Sequence, residues 1–456
     1  MTEPMASDPN VGPPSPDSTA GDPAASWSPA RKAAFRFLFC YVALFGASCL
    51  NLAVTIDFYA FTGRLPATPV DWIRGATISF VARHILLLRS FRFQAVTSGD
   101  SMSDYLEVFT YALIALLVTI AWSLLRRERT NYSRLSQWLR LYAQLALAAT
   151  LFSYGFDKVF PLQFGNLDAT RLVATVGDQD RFSMLWLFMA ASTPYTIFSG
   201  VLELLAGILL VTPKLRSAGA LLAVAVMTNV FALNLFYDVS VKLISLELLL
   251  LAVYLAAPDL PRLFRLLVLE RRVEPRSETP LSANRRVVRW AVWAQGGIAA
   301  CFFAASLIGS AHLYAKRQAE TRNVPLAGVW QVDQFQPSGN SQPLLTAKLA
   351  TEMHVQPGDD RWMKLVVGGL HEGVIQLHNG LWDYVDISVS KDQTQLDVSD
   401  SADPNWKAHF AIQHPGGNRL RLQGAINGVP VEITLHADDK AFTLTADKYH
   451  FIRSYQ

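Results

Sequence analysis

Phe37 to Ile56 is a run of twenty residues without a charge, and Arg31, Lys32 and Arg36 stand just before it. A run of that length crosses a hydrocarbon layer as a helix, where every backbone polar group must be satisfied internally. The pattern recurs along the chain. Val108–Leu125 ends in Arg126, Arg127 and Arg129, with Arg134 and Arg140 beyond. Leu141–Phe156, Pro194–Thr212, Ser217–Tyr237, Leu243–Ala257 and Trp290–Tyr314 follow. Lys214 and Arg216 flank the turn after Thr212, and Pro258 and Pro261 end the run at Ala257. The next loop carries Arg262, Arg265, Arg271, Arg272, Arg276, Arg285, Arg286 and Arg289. Cationic flanks mark the cytoplasmic side, and one scheme places all of these there with the N-terminus inside. The prediction is an α-helical transmembrane bundle of about six spans plus a re-entrant or interfacial helix.

That extra helix is the stretch Trp72–Leu88. Only eight residues separate Arg74 from Arg83, too few to cross. Arg83 and His84 read as interfacial anchors whose long or ring side chains reach the head groups; a haem or quinone contact is the other use of His84. Thr97–Ser101 is a loop, and Asp104 with Glu107 marks a helix start. Phe182–Ala191 is short and apolar, a helix lying on the outer surface.

The chain as a whole is 51% hydrophobic, yet its mean hydropathy is only +0.23, so part of it lies outside the membrane. From Val324 the texture changes to short alternating runs: Gly328–Val332, Trp362–Val366, Asp386–Val389, Leu420–Gln423, Val431–Leu435 and Phe442–Thr445. Period-two alternation between turn residues predicts strands, and Asn427-Gly428 predicts a tight hairpin. Eight to ten such strands make an all-β antiparallel barrel or sandwich, placed outside the cytoplasm by the span scheme. The expected divisions are a disordered cytoplasmic tail over 1–30, an N-terminal membrane segment over 31–134, a helical bundle over 135–258, a basic cytoplasmic loop over 259–289, a last transmembrane helix over 290–315 and the β domain over 324–456. The tail is Pro-, Ser- and Asp-rich and cannot bury a core; the apolar run behind it is too late and too long for a signal peptide.

Polar groups inside greasy helices point to function or to interhelical hydrogen bonding. Glu203 stands between Gly200 and Gly207, three before and four after it, on one helical face. With Asn229, Asn234, Asp238, Lys242 and Glu247 it forms an intramembrane polar seam. Glu203 and Lys242 are the acid–base candidates; Lys242, Asn229 or a ligand would stabilise a Glu203 charge. Asp157-Lys158 reads as a surface ion pair at the outer face. Asp238 and Lys242 are spaced to pair across a turn.

Several chemistries are left without a carrier. The formal charge of +3 gives no nucleic-acid signal. Cys40, Cys49 and Cys301 all lie in apolar runs and read as small buried residues. Seven of nine histidines fall in the β domain, at 354, 371, 378, 409, 414, 436 and 450, without metal-ligand spacing. No metal and no evident cofactor is expected. Trp330, Trp362, Trp382, Trp406, Phe410 and Phe442 line either an apolar ligand cavity or a packed core.

Tyr154-Gly155-Phe156-Asp157-Lys158 closing one helix, Ser199-Gly200-Val201-Leu202-Glu203-Leu204 with Gly207 in the next, and the helix behind Lys214 and Arg216 resemble the DoxX-like membrane proteins of bacteria. The resemblance covers about residues 135–258. It implies a four-helix membrane bundle in the bacterial inner membrane, and in one branch a subunit of a quinone-linked oxidoreductase. The Asn234–Lys242 run resembles a longer bacterial subgroup of the same layout. Gly328-Val329-Trp330 resembles the first strand of a lipocalin-type barrel. Two readings follow: an accessory subunit of a membrane redox assembly, with quinone as its possible cofactor and a membrane or periplasmic redox protein as partner; or a non-catalytic scaffold that presents an outer β domain to a ligand or protein. Neither is a self-sufficient enzyme.

Overall fold

A computed structural model describes residues 26–94, 99–126, 129–274, 279–322, 324–337, 361–369, 372–400, 403, 405–438 and 442. The helices are α1 (Pro29–Thr62), α2 (Pro69–Phe80) with a π-turn (Val81–Ile85), α3 (Met102–Leu125), α4 (Ser133–Val159), α5 (Ala169–Val173), α6 (Arg181–Ala191), α7 (Thr193–Val211), α8 (Arg216–Phe236), α9 (Lys242–Ala256), α10 (Leu260–Leu267) and α11 (Arg285–Thr321). Five of them, α1, α3, α7, α8 and α11, are long and apolar enough to cross a membrane, and α9 with α10 makes a sixth if that pair, bent by 69°, is one span. This agrees with about six. α4, although 27 residues long, falls outside that set. α4 is long but more polar because it is central. It touches α1, α7, α9 and α11, so protein rather than lipid meets its sides.

The bundle starts earlier than the tail reading expects. Trp27 donates its backbone N–H to Thr130 and lies edge-on to Phe35 and Tyr132, and α1 begins at Pro29, capped by Ser28. The rest of the expected tail, 1–25, lies outside the described residues, as do Thr97, Ser98, Arg127 and Arg276. Arg36 is a second correction. It is buried rather than a flank in the head groups, and its guanidinium donates to Tyr132 Oη, Ser123 Oγ and the Arg126 carbonyl, tying α1 to the end of α3. Cys49 is buried and Cys40 half-buried, whereas Cys301 is exposed on α11.

The Trp72–Leu88 region is a short helix and not a span. A reciprocal cap, Thr68 with Asp71, starts α2 at Pro69. Trp72, Ile73 and Phe80 are exposed. Arg83 donates to the Phe91 carbonyl and His84 stacks on Phe80.

The C-terminal unit is a closed antiparallel barrel of β1 (Gly328–Pro337), β2 (Trp362–Val367), β3 (Glu372–Leu377), β4 (Trp382–Val389), β5 (Gln395–Ser399), β6 (Lys407–Gln413), β7 (Arg419–Ile426) and β8 (Val429–Ala437), each paired with the next and β8 with β1. Asn427 and Gly428, both at positive φ, form the two-residue turn between β7 and β8. Along β6, Ala408, Phe410 and Ile412 point inward while Lys407, His409, Ala411 and Gln413 face out. Apolar inside and polar outside is the pattern of a barrel in water, the reverse of a membrane barrel. Trp362, Trp406 and Phe410 fill the interior with Trp330 packed against them; Trp382 stands outside that cluster, and Phe442 is described but not in a strand. Thr443–Thr445, His354, His371 and His450 lie outside the described residues. His409 pairs with Asp397 and His436 with Asp333 across the outer surface.

The barrel rests on the bundle through α5, which meets β2 and β3. Thr170 is buried there, and a Cβ on Gly368 would stand 2.7 Å from its Cγ2, so the contact depends on glycine.

Candidate functional site

α4 and α7 approach at backbone distance. A Cβ on Gly200 would stand 2.5 Å from the Gly155 carbonyl oxygen, and one on Gly207 would stand 2.6 Å from Phe152. Small residues on a shared face allow this closeness. It brings Lys158, one turn beyond Gly155, onto Glu203. Lys158 Nζ donates to both carboxylate oxygens, at 2.7 and 2.8 Å, with Lys158 6% and Glu203 2% exposed.

This overturns the reading of Asp157-Lys158 as a surface pair. The helix turns the two side chains apart. Lys158 enters the bundle, and Asp157 accepts from Ser310 Oγ on α11. It also replaces Lys242 and Asn229 as the expected partners of Glu203. Tyr154 lies beside the pair, its ring centroid 5.8 Å from Nζ.

The pair forms part of the wall of an apolar cavity of about 90 Å³ between α4, α6, α7, α8 and α9. Leu151, Leu185, Trp186, Met189, Met227 and Leu248 supply apolar surface. Polar atoms reach it from Asn229, which is exposed, from buried Asn234 and from Gln163. Gln163 Oε1 is buried and makes no hydrogen bond among the described residues.

The expected seam therefore divides. Glu203, Asn229 and Asn234 share this cavity. Glu247 faces a second cavity of about 200 Å³ between α1, α2, α3 and α9, where Tyr41 donates to it. Asp71, Arg74, Glu107 and Tyr111 line the same space; Arg74 bridges Asp71 and Glu107, and Ser48 donates to Glu107. Tyr154, Val241 and Ile244 border both cavities. Lys242 and Asp238 belong to neither wall. They pair at 2.8 Å across a turn, as their spacing predicts, and this bond holds the Asp238 carboxyl below its usual range. Asp100 accepts from the backbone of Lys242 and Leu243 and fixes the start of α9. Arg83 and His84 stand apart from both cavities.

The sequence reading missed Asp57, which is buried on α1 and accepts from Ser153 of α4 and Ser306 of α11. It also missed the second cavity's Asp71, Arg74 and Tyr111. An acid one residue past an apolar run was the available signal for Asp57, and a helix end hid it.

Uncharacterized protein YwoB of Bacillus subtilis (strain 168) is 31% identical to this chain over 116 residues, 25% of this chain and 73% of that protein. No family model and no solved structure matches the chain.

Proposed function

The chain belongs to the family of the uncharacterized YwoB protein, and from that premise we propose that it is a DoxX-like membrane subunit that binds the head group of a quinone-class molecule. The observation that carries this is the buried Lys158–Glu203 pair in the wall of an apolar cavity. The two stretches that resemble DoxX-like proteins meet there, Gly155 against Gly200 and Lys158 on Glu203. Quinone carbonyls are acceptors. The Lys158 Nζ and the Asn234 amide are donors at that wall, and Glu203 holds Nζ in place through both carboxylate oxygens. Sites for whole small molecules run to roughly 300–1,000 Å³. The cavity of about 90 Å³ therefore takes the carbonyl edge and leaves the tail toward lipid. Electron transfer belongs to a partner protein, and this chain's part is to hold the head group. In this reading the membrane is the bacterial inner membrane, the N-terminus is cytoplasmic and the barrel stands outside.

The test is binding of a short-chain quinone, decylubiquinone, to the detergent-solubilised full chain, followed by thermal shift. Saturable stabilisation by the wild type is expected, and its loss in the Lys158→Met/Glu203→Leu double variant. A wild-type protein whose melting is indifferent to the quinone sinks the reading.

A scaffold role is the second reading, favoured by the barrel's filled interior and by its seat on α5. Here the outer surface of the barrel does the work. A chain ending at residue 322 would then fail to complement a deletion strain while still binding quinone no better than background.

A further inference from the structure

α9 ends beside the start of α4, away from α5 and the barrel, and the chain there bends by 69° into α10. The sequence analysis expects a loop here, and the structure has a helix of eight residues with Pro261 in its first turn. Such a helix is about 12 Å long, and at this bend only about 4 Å of it advances along α9. α10 therefore lies across the direction of α9 and adds little to its crossing.

α10 buries none of its residues. Leu260, Leu263, Phe264 and Leu267 share one face at helical spacing, with Arg262 and Arg265 on the other. Leu260, Phe264 and Leu267 are exposed, as are Val268 and Leu269 just beyond them. Charge gathers beside this face. Arg262 faces Asp259 at 3.7 Å. The other described residues of 260–289 carry six arginines (Arg265, Arg271, Arg272, Arg285, Arg286 and Arg289), all exposed, against Glu270 and Glu274. The last three open α11, and Trp290 and Trp293 stand exposed directly after them. Tryptophan at a helix end marks the head-group level of a membrane. Trp138 at the start of α4 donates its indole N–H to the Leu281 carbonyl and ties the approach to α11 to the same end.

We propose that α10 is a membrane-surface anchor. Its leucine and phenylalanine face lies among the upper acyl chains, and Arg265, Arg271 and Arg272 hold anionic lipid head groups beside it. A helix with arginine on one face and Leu and Phe on the other lies in the plane of a membrane surface. Cations clustered next to a membrane helix select anionic lipids. The bilayer is the occupant because α10 leaves α9 at the level of Trp290 and Trp293, where acyl chains meet its apolar face before a soluble protein can. A zwitterionic surface would serve the leucines and leave the arginines without a matching charge.

The full chain carrying Cys40→Ala, Cys49→Ala, Cys301→Ala and Leu267→Cys is labelled at position 267 with nitrobenzoxadiazole. It is placed in nanodiscs of dioleoylphosphatidylcholine, alone or mixed equally with dioleoylphosphatidylglycerol. Lipids bearing a nitroxide near the head group or near the chain end then report the depth of the label. In the anionic discs, stronger quenching by the shallow nitroxide than by the deep one is expected. Each arginine at an anionic surface strengthens docking about fivefold, so Arg265→Gln/Arg271→Gln/Arg272→Gln should weaken it about a hundredfold and lose most of the shallow quenching. Arg265→Lys/Arg271→Lys/Arg272→Lys should keep it, which guards against a Gln variant that does not fold. Stronger quenching by the deep nitroxide makes α10 part of a crossing and overturns the proposal, and a label that neither nitroxide quenches does the same. Equal shallow quenching in both kinds of disc, unchanged in the Gln variant, refutes the choice of anionic lipid. An emission shift that grows with protein concentration in lipid-free detergent makes a second copy of the chain the occupant and also overturns it.

Discussion

Removing one partner of the Lys158–Glu203 pair should cost far more than removing both. Glu203→Gln preserves the shape of the side chain but leaves a buried ammonium facing an amide, and Lys158→Met leaves a buried carboxylate with no cation. Both groups are nearly sealed from solvent, 6% and 2% exposed. Breaking a pair in such a setting costs about 3–5 kcal/mol, whereas replacing both members by apolar residues of similar volume is neutral or stabilising by about 1–4 kcal/mol. The two single variants therefore sum to about 6–10 kcal/mol of destabilisation if independent, and the Lys158→Met/Glu203→Leu double variant should instead lie near the wild type or above it. Unfolding in detergent, read by tryptophan fluorescence for the wild type, Lys158→Met, Glu203→Leu and the double variant, closes the cycle, with Glu203→Gln measured beside them. A double variant as unstable as the sum of the singles would refute the reasoning, and so would single variants that melt with the wild type. From the sequence alone, Gln serves nearly as well as Glu if Glu203 is only structural. With a cation as its partner that no longer holds. The double variant now separates the roles: it keeps the fold and loses the donor, so retained quinone binding would make the pair purely structural.

Three other outcomes follow from the same structure. Gly200→Ala should destabilise the bundle by roughly 1–3 kcal/mol through overpacking, because its Cβ meets the Gly155 carbonyl at 2.5 Å, while Gly296→Ala, with nothing within 4 Å, should melt like the wild type. Residues 324–456 expressed alone should give a soluble domain with a β-type circular dichroism spectrum that zinc chelation does not change; a helical spectrum would contradict the barrel. A reporter active only outside the cytoplasm should work when fused after Gln456 and fail within the Arg271–Arg289 loop, and the reverse pattern would invert the topology.

Much of the architecture was legible because it rests on local periodicity. Twenty uncharged residues from Phe37 declare a helix at any tertiary arrangement, and the alternation along Val431–Leu435 declares a strand. Asn427-Gly428 also acts locally, since only residues tolerant of positive φ make that turn. The site was harder because it depends on which helices meet. Glu203 was recognisable as a buried acid between two glycines. Its partner lies 45 positions earlier, and only the docking of α4 on α7 brings the two together. The polar residues of α8 and α9 looked like one seam because they are neighbours in sequence. A helix distributes neighbours over different faces, so Glu247 turns to Tyr41 while Asn234 turns to the other cavity. Arg36 and Lys158 misled for one reason. A cation near the end of an apolar run usually reaches for water, and here each found a protein acceptor closer at hand.

The return of β8 onto β1 limits how the outer domain can be approached. A sheet with an edge can recruit an extended peptide through its backbone, and such strand addition is tolerant of sequence. Among the described residues each strand of the cylinder has a paired neighbour on both sides, so closure leaves no edge strand to serve as that template. Whatever meets this domain must be recognised by side chains and turns on its surface, such as the Asp397–His409 and Asp333–His436 pairs. Recognition of that kind is concentrated in a few residues, which makes the contact surface of the barrel one that single substitutions can map.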